Sequence, residues 1–229
     1  MVVCIELRVD NMDWPPIKDK LYYHDDYVCI YNADCMDILP LLPKVDLILT
    51  DFPYGINEDY DNYNDTQENL VEIILNILPM IVQKSEITFI TCGVKNMYLY
   101  PKPDWVMAWI SSAGIGCGPW GFCCWQPILT YGKCPYLKNG KGSIPDIFLS
   151  NETSQKNGHP CPKPINLWKK ILLRGSINNT DIILDPFLGS GTTAIAAKQL
   201  GRKCIGIERE LEYCKIAVDR CRQEVLDLF

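Results

Sequence analysis

Histidine is nearly missing from this 229-residue sequence: His24 and His159 are the two that occur, and neither lies beside a serine or cysteine in a nucleophile-elbow pattern. Hydrolase chemistry of that kind has no support. No C-x-x-C pair exists among the 12 cysteines, so a zinc site would need scattered ligands such as Cys123, Cys124, Cys134, His159 and Cys161. The expectation is no metal, with reduced cysteines serving as small buried apolar residues. No apolar run reaches the roughly 18 residues of a membrane span, and Glu6 and Arg8 come too early for a signal-peptide core. A secreted disulfide scaffold would be short and cysteine-dense, which this chain is not. We therefore expect no membrane association and an intracellular, cytoplasmic setting. Internal repeats and low-complexity segments are missing as well.

Positive charge is also scarce. With 22 Lys and Arg against 28 Asp and Glu, the formal net charge is −6. That is awkward for a nucleic-acid binder, whose affinity draws heavily on phosphate neutralisation, so any such contact has to be a local basic patch. The candidates are GKCPYLKNGKG at 132 to 142 and the group Lys169, Lys170 and Arg174.

What is present is an ordinary core composition, 48% hydrophobic, over a length suited to one domain spanning 1–229. Strand-like runs YVCIYN and VDLILTD flank a short helical stretch, MDILPLL. A polar loop, GINEDYDNYNDT, precedes a single helical pattern over ENLVEIILNILPMIVQ, and the loop's Gly, Asn and Asp content predicts mobility. The strand EITFIT follows, then WVMAWIS and PILTYG, separated by glycine-rich breaks at 114 to 121. From 132 to 157 the chain is loop-rich. The helix INLWKKILLRG, the strand DIILD, the turn FLGSG, the helix TTAIAAKQLG, the strand KCIGIE and a last helix complete the alternation. Strands alternating with helices predict an α/β fold, a doubly wound, mainly parallel, Rossmann-like sheet covered on both faces. Trp105, Trp109, Trp120 and Trp125 are expected to be buried beneath it. DWPPIK at 13 to 18 reads as a surface turn.

Two stretches carry chemistry. In ILDPFLGSGTT a buried strand ends in Asp185 and passes through Gly189 and Gly191 into a helix, and the next strand ends in Glu208. Glycines admit a ligand close to the backbone, the helix start and strand end form a crevice, and an acid at that spacing accepts from ribose hydroxyls. The segment points to an adenosine-containing cofactor. It lacks the G-x-x-x-x-G-K-[ST] pattern of a nucleoside-triphosphate loop. In ILTDFPYGIN a strand ends in Asp51, Phe52, Pro53 and Tyr54. An exocyclic base amine has its lone pair delocalised into the ring. The Asp51 carboxylate and the Phe52 carbonyl could accept its hydrogens and aim that lone pair at an incoming methyl. Pro53 would stiffen the turn, and Tyr54 would stack on the extruded base.

These motifs resemble those of amino-group DNA methyltransferases. DFPY resembles their D-P-P-Y signature, with Phe52 at the first proline, and LDPFLGSGTT resembles their S-adenosylmethionine signature. HPCPKP at 159 to 164 is similar to their H-P-x-x-K-P element, and YNADCMDIL to their G-D-C-x-x-x-L stretch, with Ala33 at the glycine. The order, catalytic motif first and cofactor turn last, is that of the beta class, and the likeness covers about residues 27 to 221. It implies S-adenosylmethionine as cofactor, held by Asp34, Cys35, His159, Lys163, Asp185, Pro186, Phe187, Gly189, Gly191, Thr192 and Glu208. It implies Asp51, Phe52, Pro53 and Tyr54 as the catalytic set. The substrate it implies is DNA within restriction-modification, with the adenine 6-amino group favoured because a leading Asp goes with adenine more often than with cytosine. The cytosine 4-amino group, RNA, a protein amide, and a non-catalytic cofactor-binding subunit are the alternatives. Target recognition would fall on the short insertion 133–158, with Lys133, Lys138, Lys141 and Lys156 near phosphates. So small a recognition region leads us to expect a homodimer or a specificity partner.

Overall fold

Apolar runs that end in an acid become the centre of a sheet. The computed structural model describes residues 17–60, 63–153 and 163–226. In chain order it contains β1 (Leu21–His24), β2 (Val28–Asn32), α1 (Cys35–Ile38), β3 (Val45–Asp51), β4 (Asp59–Tyr60), β5 (Tyr63–Asn64), α2 (Gln67–Asn76), α3 (Leu78–Lys84) and β6 (Ser85–Thr91). There follow β7 (Trp105–Ile110), β8 (Gly116–Gly118), β9 (Gly121–Cys123), β10 (Trp125–Gly132), α4 (Pro135–Lys138), β11 (Ile147–Leu149), α5 (Ile165–Gly175), β12 (Ile182–Asp185), α6 (Thr192–Gln199), β13 (Lys203–Glu208) and α7 (Leu211–Leu226).

Nine strands form one sheet in the order β1-β2-β13-β12-β3-β6-β10-β7-β11. The inner five, β2, β13, β12, β3 and β6, are parallel. β10 runs against both β6 and β7, β11 lies parallel to β7, and β1 closes the other edge antiparallel to β2. Alternate residues of β3 serve opposite faces, as the strand period requires. Leu47 and Leu49 pack beneath α5, α6 and α7, with Trp168, Ile171, Ala194 and Ala217. Ile48 belongs to the other core, with Ile38 of α1, Leu70 and Ile74 of α2, and Leu78 and Ile81 of α3. Burial on both faces is why the inner strands read as unbroken apolar runs. The expected doubly wound α/β fold is present.

Three local expectations are corrected. The single helix over 68 to 83 is two helices, because Pro79 has no N–H to continue the ladder and sits in the first turn of α3. The breaks at 114 to 121 hold a small hairpin, β8 with β9, turning through Pro119 and Trp120. Of the four tryptophans placed beneath the sheet, Trp109 alone is buried, at 7% exposure; Trp105 is 62%, Trp120 100% and Trp125 38% exposed. Trp120 sits at the turn of the exposed β8–β9 hairpin, and Trp105, at the start of β7, donates from Nε1 to Asp146 at 2.9 Å. The DWPPIK stretch lies mostly outside the described residues.

Strand direction sorts the loops between two ends of the sheet. Asp51 pairs with Thr91 where β3 and β6 finish together, and β10 starts near that end, Ile128 opposite Thr91. β10 finishes at the other end, Gly132 opposite Ile87, so Lys133 and α4 stand at the amino-terminal end of the parallel strands. Lys138 there pairs with Glu86 at 2.9 Å, and Lys141 N–H donates to the Tyr136 carbonyl beside it. The lysines expected near phosphates are thus at the opposite end from Asp51, and Lys156 lies outside the described residues. Among the described residues no helix is long and apolar enough to cross a membrane.

Gly175 ends α5 against the sheet, and a Cβ there would stand 2.7 Å from both Leu47 Cδ1 and Phe89 Cε2. Gly175→Ala is expected to destabilise the fold by about 1–3 kcal/mol through overpacking, read as a lower urea midpoint at unchanged slope.

Candidate functional site

The acid that ends β3 is held on both oxygens. Thr91, across the strand pair, donates its hydroxyl to Asp51 Oδ1, and the Tyr54 hydroxyl donates to the same oxygen at 2.9 Å. Lys163, just before α5, forms an ion pair with Oδ2. Gln126 Nε2 in turn donates to the Tyr54 hydroxyl, and the Lys163 ammonium lies 5.1 Å from the centre of the Tyr54 ring. The ring is therefore fixed at its hydroxyl by two strands. Burial and the adjacent Asp51 charge push the Tyr54 phenol well above its ordinary range, so it stays a donor.

Behind this loop stand two clamps. Asn96 Nδ2 donates to the carbonyls of Tyr54 (2.7 Å) and Gly55 (3.0 Å). The fully buried Asp65 accepts from the backbone N–H groups of Gly55, Ile56 and Glu58 at 2.7, 3.1 and 3.2 Å. A carboxylate gathering three amides holds a turn in one shape. The start of the loop expected to be mobile is thus internally tied. Phe52 turns inward, 1% exposed, with its ring edge-on to Phe187 at 4.9 Å between centroids. The residue at the family's proline position thereby joins the Asp51 turn to the glycine turn.

The second half of the site is that glycine turn. Asp185 ends β12 and accepts from Thr50 Oγ1 (2.8 Å), Thr193 Oγ1 (2.6 Å) and Phe187 N (3.0 Å). Glu208 ends β13, with Oε2 accepting from Gly189 N and Oε1 from Glu210 N, each at 2.8 Å. Gly206 lets the turn lie on β13, since a Cβ there would meet Leu188 Cδ2 at 2.4 Å. Asp34 caps α1, accepting from Met36 N at 2.9 Å. Burial raises the Asp185 carboxyl to about 6 against the three donors, with the Asp51 charge adding to the rise. Burial also raises Glu208, opposed by its two amides.

Both halves open into one cavity of about 510 Å³, within the range of small-molecule and cofactor sites. Asp34, Cys35, Asp185, Pro186, Phe187, Gly189, Thr192 and Glu208 line it on one side, and Asp51, Pro53 and Lys163 on the other. The remaining residues expected here are placed otherwise. Gly191 does not line the cavity; its φ is 86° and a Cβ would stand 2.7 Å from Ala217 Cβ, so it serves the packing of α6 on α7. Phe52 lies beneath the cavity and Tyr54 behind Asp51. His159 lies outside the described residues. Lys163, expected on the cofactor, is on Asp51. Among the described residues no three His, Cys, Asp or Glu side chains gather as a metal would need, and Cys123 and Cys124 sit at the opposite end of β10 from Cys134. Thr91, Asn96, Gln126 and Asp65 escape sequence reasoning, because each acts across a fold contact that no local pattern marks. Thr91, a polar residue ending a strand, carried the faintest signal.

A family model described as DNA methylase, for the N6 and N4 enzymes, matches residues 124–219. Type II methyltransferase M1.MboII of Moraxella bovis is 30% identical over 242 residues, covering 80% of this chain and 92% of that protein. Type II methyltransferase M2.DpnII of Streptococcus pneumoniae is 53% identical over 92 residues, but these are 38% of this chain and 34% of that protein. The solved M1.HpyAVI–SAM complex is 27% identical with a TM-score of 0.63, over 84% of this chain and 98% of that one.

The raised Asp185 carboxyl makes a stability prediction. Native protein takes up this proton near pH 6 whereas unfolded chain takes it up near its ordinary 3.8, so this group's contribution to stability improves as pH falls between those values. The stability of wild type relative to Asp185→Asn is expected to rise by up to about 3 kcal/mol over that interval, measured by urea unfolding at a series of pH values.

Proposed function

This chain belongs to the amino-group DNA methylase family, and from that premise we propose that it transfers a methyl group from S-adenosylmethionine to the 6-amino group of adenine in DNA. The observation that carries the reading is the opening of the Asp51 carboxylate into the same cavity as Glu208 and the glycine turn. S-adenosylmethionine, when bound, supplies a methyl on a positively charged sulfur. The residues that would hold it are Glu208, placed for ribose hydroxyls, Asp34, and the turn from Asp185 to Thr192. The donor set fits: carboxylates at two strand ends, a glycine backbone, and Phe187 for an apolar wall.

The remaining work falls to the Asp51 turn. A base in the duplex cannot reach Asp51, so it must be extruded at a cost of about a few kcal/mol in lost stacking. Asp51 would then accept hydrogen from the amine, draw the nitrogen toward tetrahedral geometry, and aim its lone pair toward the side of the cavity lined by Glu208 and the glycine turn. Asp51 is placed to take the proton that the amine nitrogen would shed on gaining the methyl, the cofactor leaving as the neutral thioether. Tyr54, held by Asp51 and Gln126, stands behind Asp51 and orients its carboxylate. The leading acid favours adenine through the family resemblance; the cytosine 4-amino group is the second reading.

Asp51→Ala is expected to lower labelled-methyl transfer to unmodified DNA by at least about a hundredfold, with calorimetric affinity for S-adenosylmethionine little changed. Glu208→Ala should instead weaken that affinity by about 1.5–3 kcal/mol. Unchanged cofactor affinity in Glu208→Ala would overturn its assignment. Nucleoside analysis of the product DNA separates adenine from cytosine, and RNA and protein substrates run in parallel test the other acceptors.

A duplex engaging Asp51 meets the end of the sheet where Lys95 is exposed, in the 3-10 turn Val94–Leu99. Lys95→Gln is expected to reduce the salt slope of duplex binding by about 1, and Lys133→Gln to leave it unchanged. A salt series with a short duplex checks both.

A further inference from the structure

Lys163 is engaged at a place its motif does not anticipate. Its ammonium pairs with Asp51 Oδ2, while Oδ1 is taken by the Tyr54 and Thr91 hydroxyls. The Oδ1 partners cannot readily move. Thr91 is fixed in strand register opposite Asp51, and Tyr54 is tied by Gln126 at its hydroxyl and by Asn96 at its carbonyl. Neither Thr91 nor Tyr54 borders the cavity, whereas Asp51 and Lys163 both do. An amine arriving through the cavity therefore meets Oδ2, where the ammonium already sits.

Electrostatics makes joint occupancy unfavourable. The amine nitrogen becomes positive as it gains the methyl. A second positive charge about 4 Å away, at the effective dielectric of a protein site, would slow transfer by on the order of a thousandfold. Yet without substrate the largely enclosed Asp51 needs a counter-charge, since an unpaired buried carboxylate is strongly unfavourable. One side chain meets both demands if it can leave. Lys163 also borders a second recess, of about 130 Å³, that Glu152 lines. The Glu152 carboxylate there accepts from Asn166 N and Nδ2 and offers a second anionic partner.

We propose that Lys163 is a positioning residue with two stations: it holds Asp51 until the target amine takes Oδ2, and then turns to Glu152. This rests on the methyl-transfer reading above. No bond to Lys163 forms or breaks; one donor replaces another on the carboxylate, and a cation leaves as a cation develops.

The test uses the full chain with Lys163→Met, Glu152→Gln and the double variant. Asp51 is faced by Tyr54, Cys92, Tyr100, Asp185 and Lys163, and all but Lys163 are common to wild type and Lys163→Met. Their titrations should largely cancel in the ratio of the two kcat/KM values. The Lys163→Met to wild-type ratio is expected to fall by about tenfold or more between about pH 8 and pH 6, because the variant leaves the Asp51 carboxylate without its counter-charge. Lys163→Arg should restore a flat ratio. Calorimetric affinity for S-adenosylmethionine should change by less than about threefold in Lys163→Met. Glu152→Gln should lower kcat when Lys163 is present and have no further effect in Lys163→Met. A flat pH ratio with cofactor affinity weakened about tenfold or more would make Lys163 a cofactor ligand and overturn the proposal. So would equal effects of Glu152→Gln in both backgrounds, an arm that Lys163→Gln can serve if Lys163→Met does not fold. Wild type that methylates no DNA, RNA or protein would instead overturn the transfer reading, and the two-station role with it.

Discussion

A buried carboxylate has to be satisfied by whatever surrounds it, and at Asp185 that requirement organises the site. Its oxygens collect the Thr50 hydroxyl from β3, the Thr193 hydroxyl from α6 and the Phe187 amide from the turn between β12 and α6. Two of these donors are local and the third, Thr50, comes from 135 positions away, and loss of any donor leaves a strongly disfavoured charge in the core. Thr50 is the neighbour of Asp51, so the hydrogen bond that satisfies Asp185 also sets where β3 ends. The same Thr193 hydroxyl accepts from Trp168 Nε1 at 2.9 Å, which carries the constraint into α5 and toward the segment that bears Lys163.

Aromatic packing adds a second tie between the two halves. Phe52 meets Phe187 at 4.9 Å and Tyr100 at 6.2 Å, filling the space beneath the cavity floor. A proline at 52 would stiffen the turn but leave that contact unfilled. Rigidity of the turn comes here from Asp65, Asn96 and the aromatic pair together. The acidic overall charge is compatible with this arrangement, because the carboxylates that make it acidic include those that build the site.

Much of this was legible beforehand because the inner strands are short, buried on both faces and finished by an acid. Val45–Asp51, Ile182–Asp185 and Lys203–Glu208 read directly as strands whose last residue faces a crevice. Eleven of the fifteen residues expected at the site line the cavity. The positioning residues were not legible: Asn96 reaches Tyr54 across 42 positions, Gln126 across 72 and Lys163 reaches Asp51 across 112, distances over which periodicity carries no information. The tryptophans were misplaced because hydrophobicity alone cannot tell a covered strand from an uncovered edge. Lys133, Lys138 and Lys141 stand at the other end of the sheet from Asp51 because the direction of β10 decides which end they reach, and direction is a property of topology.

The sheet order has a kinetic meaning of its own. β12 and β13 occupy the centre, yet they are made long after their neighbours β2 and β3, and the Asn32 to Glu208 hydrogen bond spans 176 positions. Until residues 182 to 208 arrive, one flank of the apolar strand that ends in Asp51 has no partner, an open edge of the kind that invites pairing with other chains. Closing so long a loop is slow relative to local structure. A growing chain thus completes its Asp51 turn in sequence well before it can assemble the crevice beside it, and synthesis rate and chaperone protection bear on how much active fold is obtained.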